Sequence, residues 1–445
     1  MRIEARYYSR PRLSGCMPTS KKPVFRRYDP HQELLLPPSL DDWLPEDHLA
    51  RIVAQVVDDH LDLKPLLATY ENEAGGSPAF HPRLLLKVLL YGYCVGVASS
   101  RRLEKATYED VAARWLSADQ HPHYTTLARF RRRSLPLLDQ LFHQVLDLCQ
   151  EAGLVKLGRV ALDGTKIKAS ASKHKSKSYR KIREEKDELD RSIREWFDEA
   201  ERVDAEEDRL YGPDKNPLLH PLPPDWKERL KKLKQAKKAI EEREEEKGRS
   251  PPTETAQYNF TDPDSRIMPD SGNKGAFVQG YNAQLAVDAK SQVIVAMGLT
   301  QEGPDQNHLV PMVDEIEREL GRLPPELLSD AGYFSEAAIR SVQARGVEVY
   351  CPPDSWRVTD REACPRGRPP RNETFKQLMR RKVRSRRGRA EYRWRKVSVE
   401  PTFGQIKQGR GLRQFLLRGY GKVSGEWKLW GLTHNLRKLH VAWVG

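Results

Sequence analysis

Cysteine is scarce in this chain: Cys16, Cys94, Cys149, Cys351 and Cys364 are the 5 among 445 residues, and no two form a C-x-x-C pair. An odd, scattered set of thiols argues against a disulfide framework and lacks zinc-ligand spacing. A reducing cytoplasm suits it. Long apolar runs are missing as well. The longest, Val88 to Ala98, falls short of the roughly 20 residues that a membrane-crossing helix needs, and the basic N-terminus is not followed by the apolar segment of a secretory leader. Acid is what one stretch nearly lacks. Arg380 to Lys396 holds 10 Lys or Arg among 17 residues, with Glu391 the sole acid. Lys plus Arg number 77 against 63 Asp plus Glu, a net charge of +14 that favours a polyanionic partner. The dense stretch reads as a track for phosphates, with Arg384, Arg386 and Arg387 in a linker poor in apolar side chains.

The length leaves room for two or three domains with a substantial core. Residues 1–24 carry no periodicity and read as a disordered basic arm. From Leu44 to about Gly153, within a helical N-terminal domain taken as 25–153, the pattern is helical, with Leu49, Ile52, Val53, Val56 and Val57 at core spacing, then Leu84 to Val97 and Leu137 to Leu148. Inside this region Tyr108 to Leu116 predicts a short helix and SADQHP a turn. Tyr124 to Arg133 predicts a second helix, opening near Thr125 and Thr126 and carrying Arg129, Arg131, Arg132 and Arg133. Helix, turn and Arg-rich helix suit a helix-turn-helix reader of DNA, and equally an ordinary helical hairpin with a solvated basic face. Residues 173–250 shift to mixed charge with apolar stripes at heptad spacing on either side of a Pro-rich turn, which predicts an inserted helical hairpin. It interrupts an α/β domain formed by 154–172 and 251–445. There the strand signals NAQLAVD and QVIVAMGLT precede a helix from about Asn307, the strand ending at Asp330, a helix capped by Ser335, the strand VEVYCPP and, after the basic linker, a helix bearing Glu400.

Three acids stand out by position. Asp163 follows Val160, Ala161 and Leu162 into a polar turn, and Asp330 follows Leu327 and Leu328 into a Gly turn. Glu400 is isolated in a strongly basic helical pattern, with Phe403 and Lys407 at i+3 and i+7 predicted on its face and Tyr392 and Arg395 one to two turns upstream. Any one Asp before Gly is an ordinary turn residue. Two strand-end carboxylates joined by a helical one are what a two-metal phosphodiester site requires, since hard cations about 3.5–4 Å apart need several oxygen ligands. Asp262, Asp264, Asp288 and Asp305 sit in turn-forming contexts and read as structural or supporting residues; His308 reads as a capping or surface residue.

LDGT, then SDAGYF, then Y-x-x-R-x-x-x-x-E-x-x-F-x-x-x-K, preceded by the block from Phe25 through HPRLLLKVLLYGYCVGVASSRRLE, resembles the insertion-sequence DDE transposases with an RNase H-like core. The resemblance runs from about Phe25 to the C-terminus. Four residues separate Arg395 from Glu400 where the best-known form of the motif has three. It implies an α/β fold, an RNase H-like mixed sheet with flanking helices, preceded by an all-α DNA-binding region over 25–153. It implies Asp163, Asp330 and Glu400 as catalytic ligands of two Mg²⁺ ions, with Mn²⁺ able to substitute. Tyr392, Arg395 and Lys407 would contact the scissile strand. The expected partners are double-stranded DNA, both transposon ends and target, and a second copy in a homodimer; no membrane is involved, and the expected location is the cytoplasm, at the nucleoid. Two alternatives stay open: an RNase H-like nuclease that cuts without joining, and a DNA-binding protein that has lost catalysis.

Overall fold

The computed structural model describes residues 39–70, 79–211, 223–270, 275–354, 367, 370 and 372–444. The arm expected over 1–24, with Cys16 and Cys364, lies outside the described residues.

The N-terminal part is helical: α1 (Leu40–Trp43), α2 (Leu49–Gln55), α3 (Lys64–Leu67), α4 (Pro82–Cys94), α5 (Ser100–Glu109), α6 (Val111–Leu116), α7 (Tyr124–Ser134) and α8 (Leu138–Glu151). Helix α4 starts with Pro82 behind His81, whose Nδ1 accepts from Arg83 N, and it is buried on nearly all sides through Leu84, Leu85, Leu86, Val88, Leu89 and Leu90. The helix expected over Tyr108 to Leu116 is instead divided. Tyr108 belongs to α5, and the chain turns extended at Asp110, whose Oδ1 accepts from Ala113 N to start α6. An Asp offers more as a cap than inside a helix, where its side chain competes for backbone donors. Helix α7 begins at Tyr124, and its arginines do not form one solvated face. Arg131 is buried and donates to Tyr93 Oη at 3.1 Å and Ala98 O at 2.8 Å; Arg129, Arg132 and Arg133 are exposed.

Next come β1 (Arg159–Lys168), β2 (Ser176–Ser178), α9 (Tyr179–Tyr211), α10 (Pro224–Glu246), β3 (Gln257–Asn259), β4 (Arg266–Pro269), β5 (Phe277–Asp288) and β6 (Ile294–Thr300). They are followed by α11 (Leu309–Leu320), β7 (Glu326–Leu328), α12 (Glu336–Ala344), β8 (Glu348–Tyr350), α13 (Phe375–Arg384), α14 (Arg386–Gly404) and α15 (Tyr420–Val444). The main sheet runs β4-β5-β1-β7-β8, with β6 also paired to β5. Strand β1 is antiparallel to β5 and parallel to β7, and β7 is parallel to β8. Buried on both faces, β5 from Val278 to Asp288 has no polar-out alternation. Helices α9 and α10 make a small core of their own from Tyr179, Ile182, Leu189, Leu233, Ala236 and Ile240.

Among the described residues one apolar cluster runs from the helical layer into the sheet, through Leu146, Cys149, Val155, Leu157 and Val160. Helix α15, which leaves no amphipathic signal in the sequence, packs on α4, α8 and β6 and joins the helical layer to the sheet. It buries Trp427, Trp430, Leu432, Leu436 and Leu439, and Asn435 hydrogen-bonds both the amide and the carbonyl of Ile294 at the start of β6.

The basic linker expected before Glu400 is also helical. Arg384 ends α13 and Arg386 and Arg387 begin α14, with only Ser385 between; its Oγ accepts from Gly388 N and caps α14. Arg387 reaches Glu326 and Glu348 at the starts of β7 and β8, 3.3 and 3.1 Å away, so it helps dock the helix as well as adding charge. The close approach of the two helices requires Gly388, where a β-carbon would lie 2.8 Å from Val383 O and nearer still to Lys382 O. Gly388→Ala is expected to lower unfolding free energy by about 1–3 kcal/mol through overpacking. Chemical denaturation checks this, and an unchanged midpoint refutes it.

Candidate active site

The sheet register brings two acids together. Val160 and Ala161 of β1 pair with Leu327 and Leu328 of β7, so two positions further along each parallel strand the chain reaches Asp163 and Asp330. Asp163, opposite Leu285, accepts from Gly164 N at 3.0 Å; Asp330 accepts from Gly332 N at 2.9 Å and caps the 3₁₀ turn Ala331–Tyr333. Glu400 arrives from α14, which packs against β1, β5 and β7. Pro401 follows it inside the helix and lacks the amide that would satisfy Val397 O, and Gln292 Nε2 donates to that carbonyl at 3.0 Å instead. The backbone then widens into a π turn over Gln405–Gly409.

All three acids converge on one guanidinium. Arg395 Nη1 lies 3.0 Å from Glu400 Oε1 and 3.7 Å from Asp163 Oδ2, and Nη2 lies 3.8 Å from Asp330 Oδ2. Side-chain exposure rises from 16% at Asp163 to 35% at Asp330 and 49% at Glu400, so the cluster opens to solvent on the helix side. Burial pushes the Asp163 carboxyl up to about 7, against the pull of Arg395, with Asp330 and Glu400 adding to the rise. Asp330 is raised for the same reason, with Arg395 opposing and Asp305 reinforcing.

Lys407, on the π turn, donates to Thr165 Oγ1 at 2.9 Å, which sets an ammonium beside β1 two residues from Asp163. Burial lowers its pKa. Phe403 is buried against Trp427, ring centroids 6.4 Å apart, so it leaves the face expected to be shared with Glu400 and Lys407. Tyr392 is half-buried on α14, and burial raises its hydroxyl well above the usual range. Thr125, Thr126, Arg129 and Arg132 lie on α7, away from the acids in the chain and on a different layer. Arg384, Arg386 and Arg387 lie at the α13–α14 junction, two turns or more before Arg395.

The other acids divide by their partners. Asp262 accepts from Tyr281 Oη and Gly419 N, and Asp288 from Leu157 N, Lys290 N and Ser291 N. Both are turn anchors. His308 occupies the cap position of α11 with no cap bond, its Nε2 3.6 Å from Glu302. Asp139, Glu315 and Glu319 also form a cluster of metal-ligand type. Arg318 bridges all three, Lys428 reaches Asp139, and His143 meets Glu319, so their charge is already met by protein cations. The sequence reading missed both this cluster and the closeness of Asp305 to the triad, because neither follows from local spacing.

Carboxylates at adjacent strand ends, with a third from a helix gathered on the same guanidinium, form an all-oxygen set of the kind that can hold hard divalent cations for phosphoryl transfer. Residues 38–133 match the transposase domain family DUF772, and residues 252–436 match the transposase DDE domain. The chain belongs to the insertion-sequence DDE transposases. The second match contains Asp330 and Glu400; Asp163 precedes it and joins them through β1. No curated protein and no solved structure matches the chain. Among the described residues, no helix is long and apolar enough to cross a membrane.

Proposed function

We propose that this transposase cuts at the ends of its element and joins the freed 3′ hydroxyls to target DNA, using Asp163, Asp330 and Glu400 in an RNase H-like core. The observation that carries this reading is the convergence of the three carboxylates on Arg395 within 3.0–3.8 Å. Oxygen donors alone suit a hard divalent ion, and the site already gathers positive charge. Arg395 Nε is buried without a hydrogen-bond partner, so its guanidinium is held less completely than its ion pairs suggest. The three acids would hold two Mg²⁺, for which Mn²⁺ can stand in. When bound, the ions supply an activated water and charge neutralisation on the leaving oxygen.

The chain's own residues do the positioning. Lys407 and Arg395 bind the scissile phosphate, and Tyr392 hydrogen-bonds or stacks beside it. Arg384, Arg386 and Arg387 at the α13–α14 junction carry the flanking backbone, Arg387 in exchange for its carboxylate partners. Residues 25–153 act as the DNA-binding region and 154–172 with 251–445 as the catalytic domain, interrupted by the hairpin at 173–250. The protein works as a homodimer on double-stranded DNA in the cytoplasm, at the nucleoid.

The test is co-incubation of the purified protein with its element ends and a plasmid target. Cleavage and joining with Mg²⁺ or Mn²⁺, and neither with Ca²⁺, is the expected result. Activity in chelator overturns the metal reading. Cleavage without joining assigns a nuclease, and binding alone assigns an inactive descendant.

For α7 as a reader of sequence, Arg129→Ala or Arg132→Ala lowers the preference for element ends over random DNA by about 1–3 kcal/mol, the value of a base contact. Thr125 and Thr126 at the start of the helix position it. Titrations on both DNAs decide: equal losses make these residues phosphate contacts instead.

A further inference from the structure

Asp305, in the loop between β6 and α11, has no part in the chemistry above, yet it is the best-anchored carboxylate near the triad. Its Oδ1 accepts from Asn282 Nδ2 at 2.6 Å and Gln284 Nε2 at 2.8 Å, and its Oδ2 from Lys166 Nζ at 3.1 Å. These partners come from β5 and β1, so the sheet itself fixes the carboxylate.

What this carboxylate touches is the backbone just after each of the two strand-end acids. A β-carbon at Gly164 would lie 2.7 Å from Asp305 Oδ1 and 2.5 Å from Gln284 Nε2. One at Gly332 would lie 3.4 Å from Asp305 Oδ2 and 3.0 Å from Asp330 Oδ1. Neither glycine has a positive φ, so neither is needed for backbone conformation. The space is what they supply, and Asp305 fills it. A second route leads to the same place: Tyr333, on the turn capped by Asp330, donates to Gln284 Oε1, and Gln284 holds Asp305.

We propose that Asp305 is a positioning residue, a charged spacer wedged between the Asp163–Gly164 and Asp330–Gly332 turns that sets the separation of the two strand-end carboxylates. This rests on the reading of Asp163 and Asp330 as metal ligands. A spacer with only a packing role has no need of charge, whereas this half-buried carboxylate is held beside two others by an ammonium and two amide donors. Charge here is useful if the acids around it must present a negative, correctly spaced set to incoming cations.

Asp305→Ala strands the Lys166 ammonium and two amides, so it is a poor probe; the double variant Lys166→Gln, Asp305→Asn keeps volume and hydrogen-bonding capacity in neutral form. It is compared with wild type, Gly332→Ala and Asp330→Asn for melting temperature, affinity for element-end DNA, single-turnover cleavage and the Mg²⁺ concentration giving half-maximal cleavage. Mn²⁺ binding to the DNA-free protein is followed by electron paramagnetic resonance. Expected for the double variant are unchanged melting and DNA affinity, cleavage lowered by about 10–100-fold and Mg²⁺ and Mn²⁺ requirements raised about tenfold, the scale of lost support behind metal ligands. Gly332→Ala shifts the metal requirement in the same direction. If Asp330→Asn is inactive while the double variant keeps the wild-type metal requirement, Asp305 is structural and the proposal fails alone. If Asp330→Asn still cleaves, the reading beneath it fails and takes this one with it.

Discussion

Asp163→Asn, Asp330→Asn and Glu400→Gln should each lower cleavage of element ends by about a thousandfold or more, equivalent to about 4 kcal/mol of transition-state stabilisation. Binding to the ends should stay the same or tighten slightly. Each substitution removes a negative charge from the surface proposed to face phosphates, and none removes a cation. The three also differ in what they do to the fold. Asp163 is the most buried, and its neutral isostere relieves a desolvation cost, so Asp163→Asn should melt higher than wild type in chelator. Glu400 is half-exposed and should leave melting nearly unchanged. Cleavage assays and thermal melts on the same three proteins check both statements. A variant that retains a substantial fraction of cleavage removes its residue from the site.

The second large effect is on stability in acid. His434, on α15, is fully buried and donates Nε2–H to Gln292 O at 2.9 Å. Burial pushes its pKa down to about 3, helped by the nearby Arg410, Lys438 and Arg437 and opposed by the bond to Gln292. An unfolded imidazole takes up a proton as pH falls through about 6.5, whereas the folded one does so only near 3. Between those values the unfolded state binds the extra proton, so stability present above pH 6.5 is lost as pH falls, by about 1.4 kcal/mol per pH unit. His434→Gln should be less stable at pH 7 and should show a shallower decline from pH 6.5 to 4. Parallel slopes for the two proteins would show that His434 does not set the acid limit.

How far the sequence spoke depends on which physical signal each element left. Asp163 and Asp330 were legible because an apolar strand ending in a polar turn is a local pattern, and Ser335 before Glu336 is a local cap. Helix α15 was not. From Val423 to Leu436 it is buried on nearly all sides, with Glu426, Thr433, His434 and Asn435 buried among its apolar residues, so it has no amphipathic stripe to betray it. The stretch from Lys376 to Arg387 failed in the opposite way: its charge suggested a linker, while Met379 and Val383 alone supply the buried side of α13. Arg131 and Arg410 show a third limit. Arg410 donates to Thr433 Oγ1 and Trp430 O inside the core, and nothing in an arginine's neighbours along the chain reveals that it will be buried. The meeting of three acids on Arg395 lay beyond spacing too, since it needed the register of β1 with β7.

The joint core has a consequence for where the cut falls. Helix α7 is tied through Arg131 to Tyr93, Tyr93 lies against Trp430 of α15 with ring centroids 4.9 Å apart, and α15 is hydrogen-bonded to β6 of the sheet that carries the acids. If α7 is the reader, no hinge among the described residues separates the base pairs being recognised from the phosphate being attacked, and the protein would act as a ruler of fixed length. Inserting one base pair between the two positions would rotate the scissile strand by a tenth of a turn as well as displacing it, so the penalty should vary with the helical repeat of the duplex and ease only when a whole turn has been added.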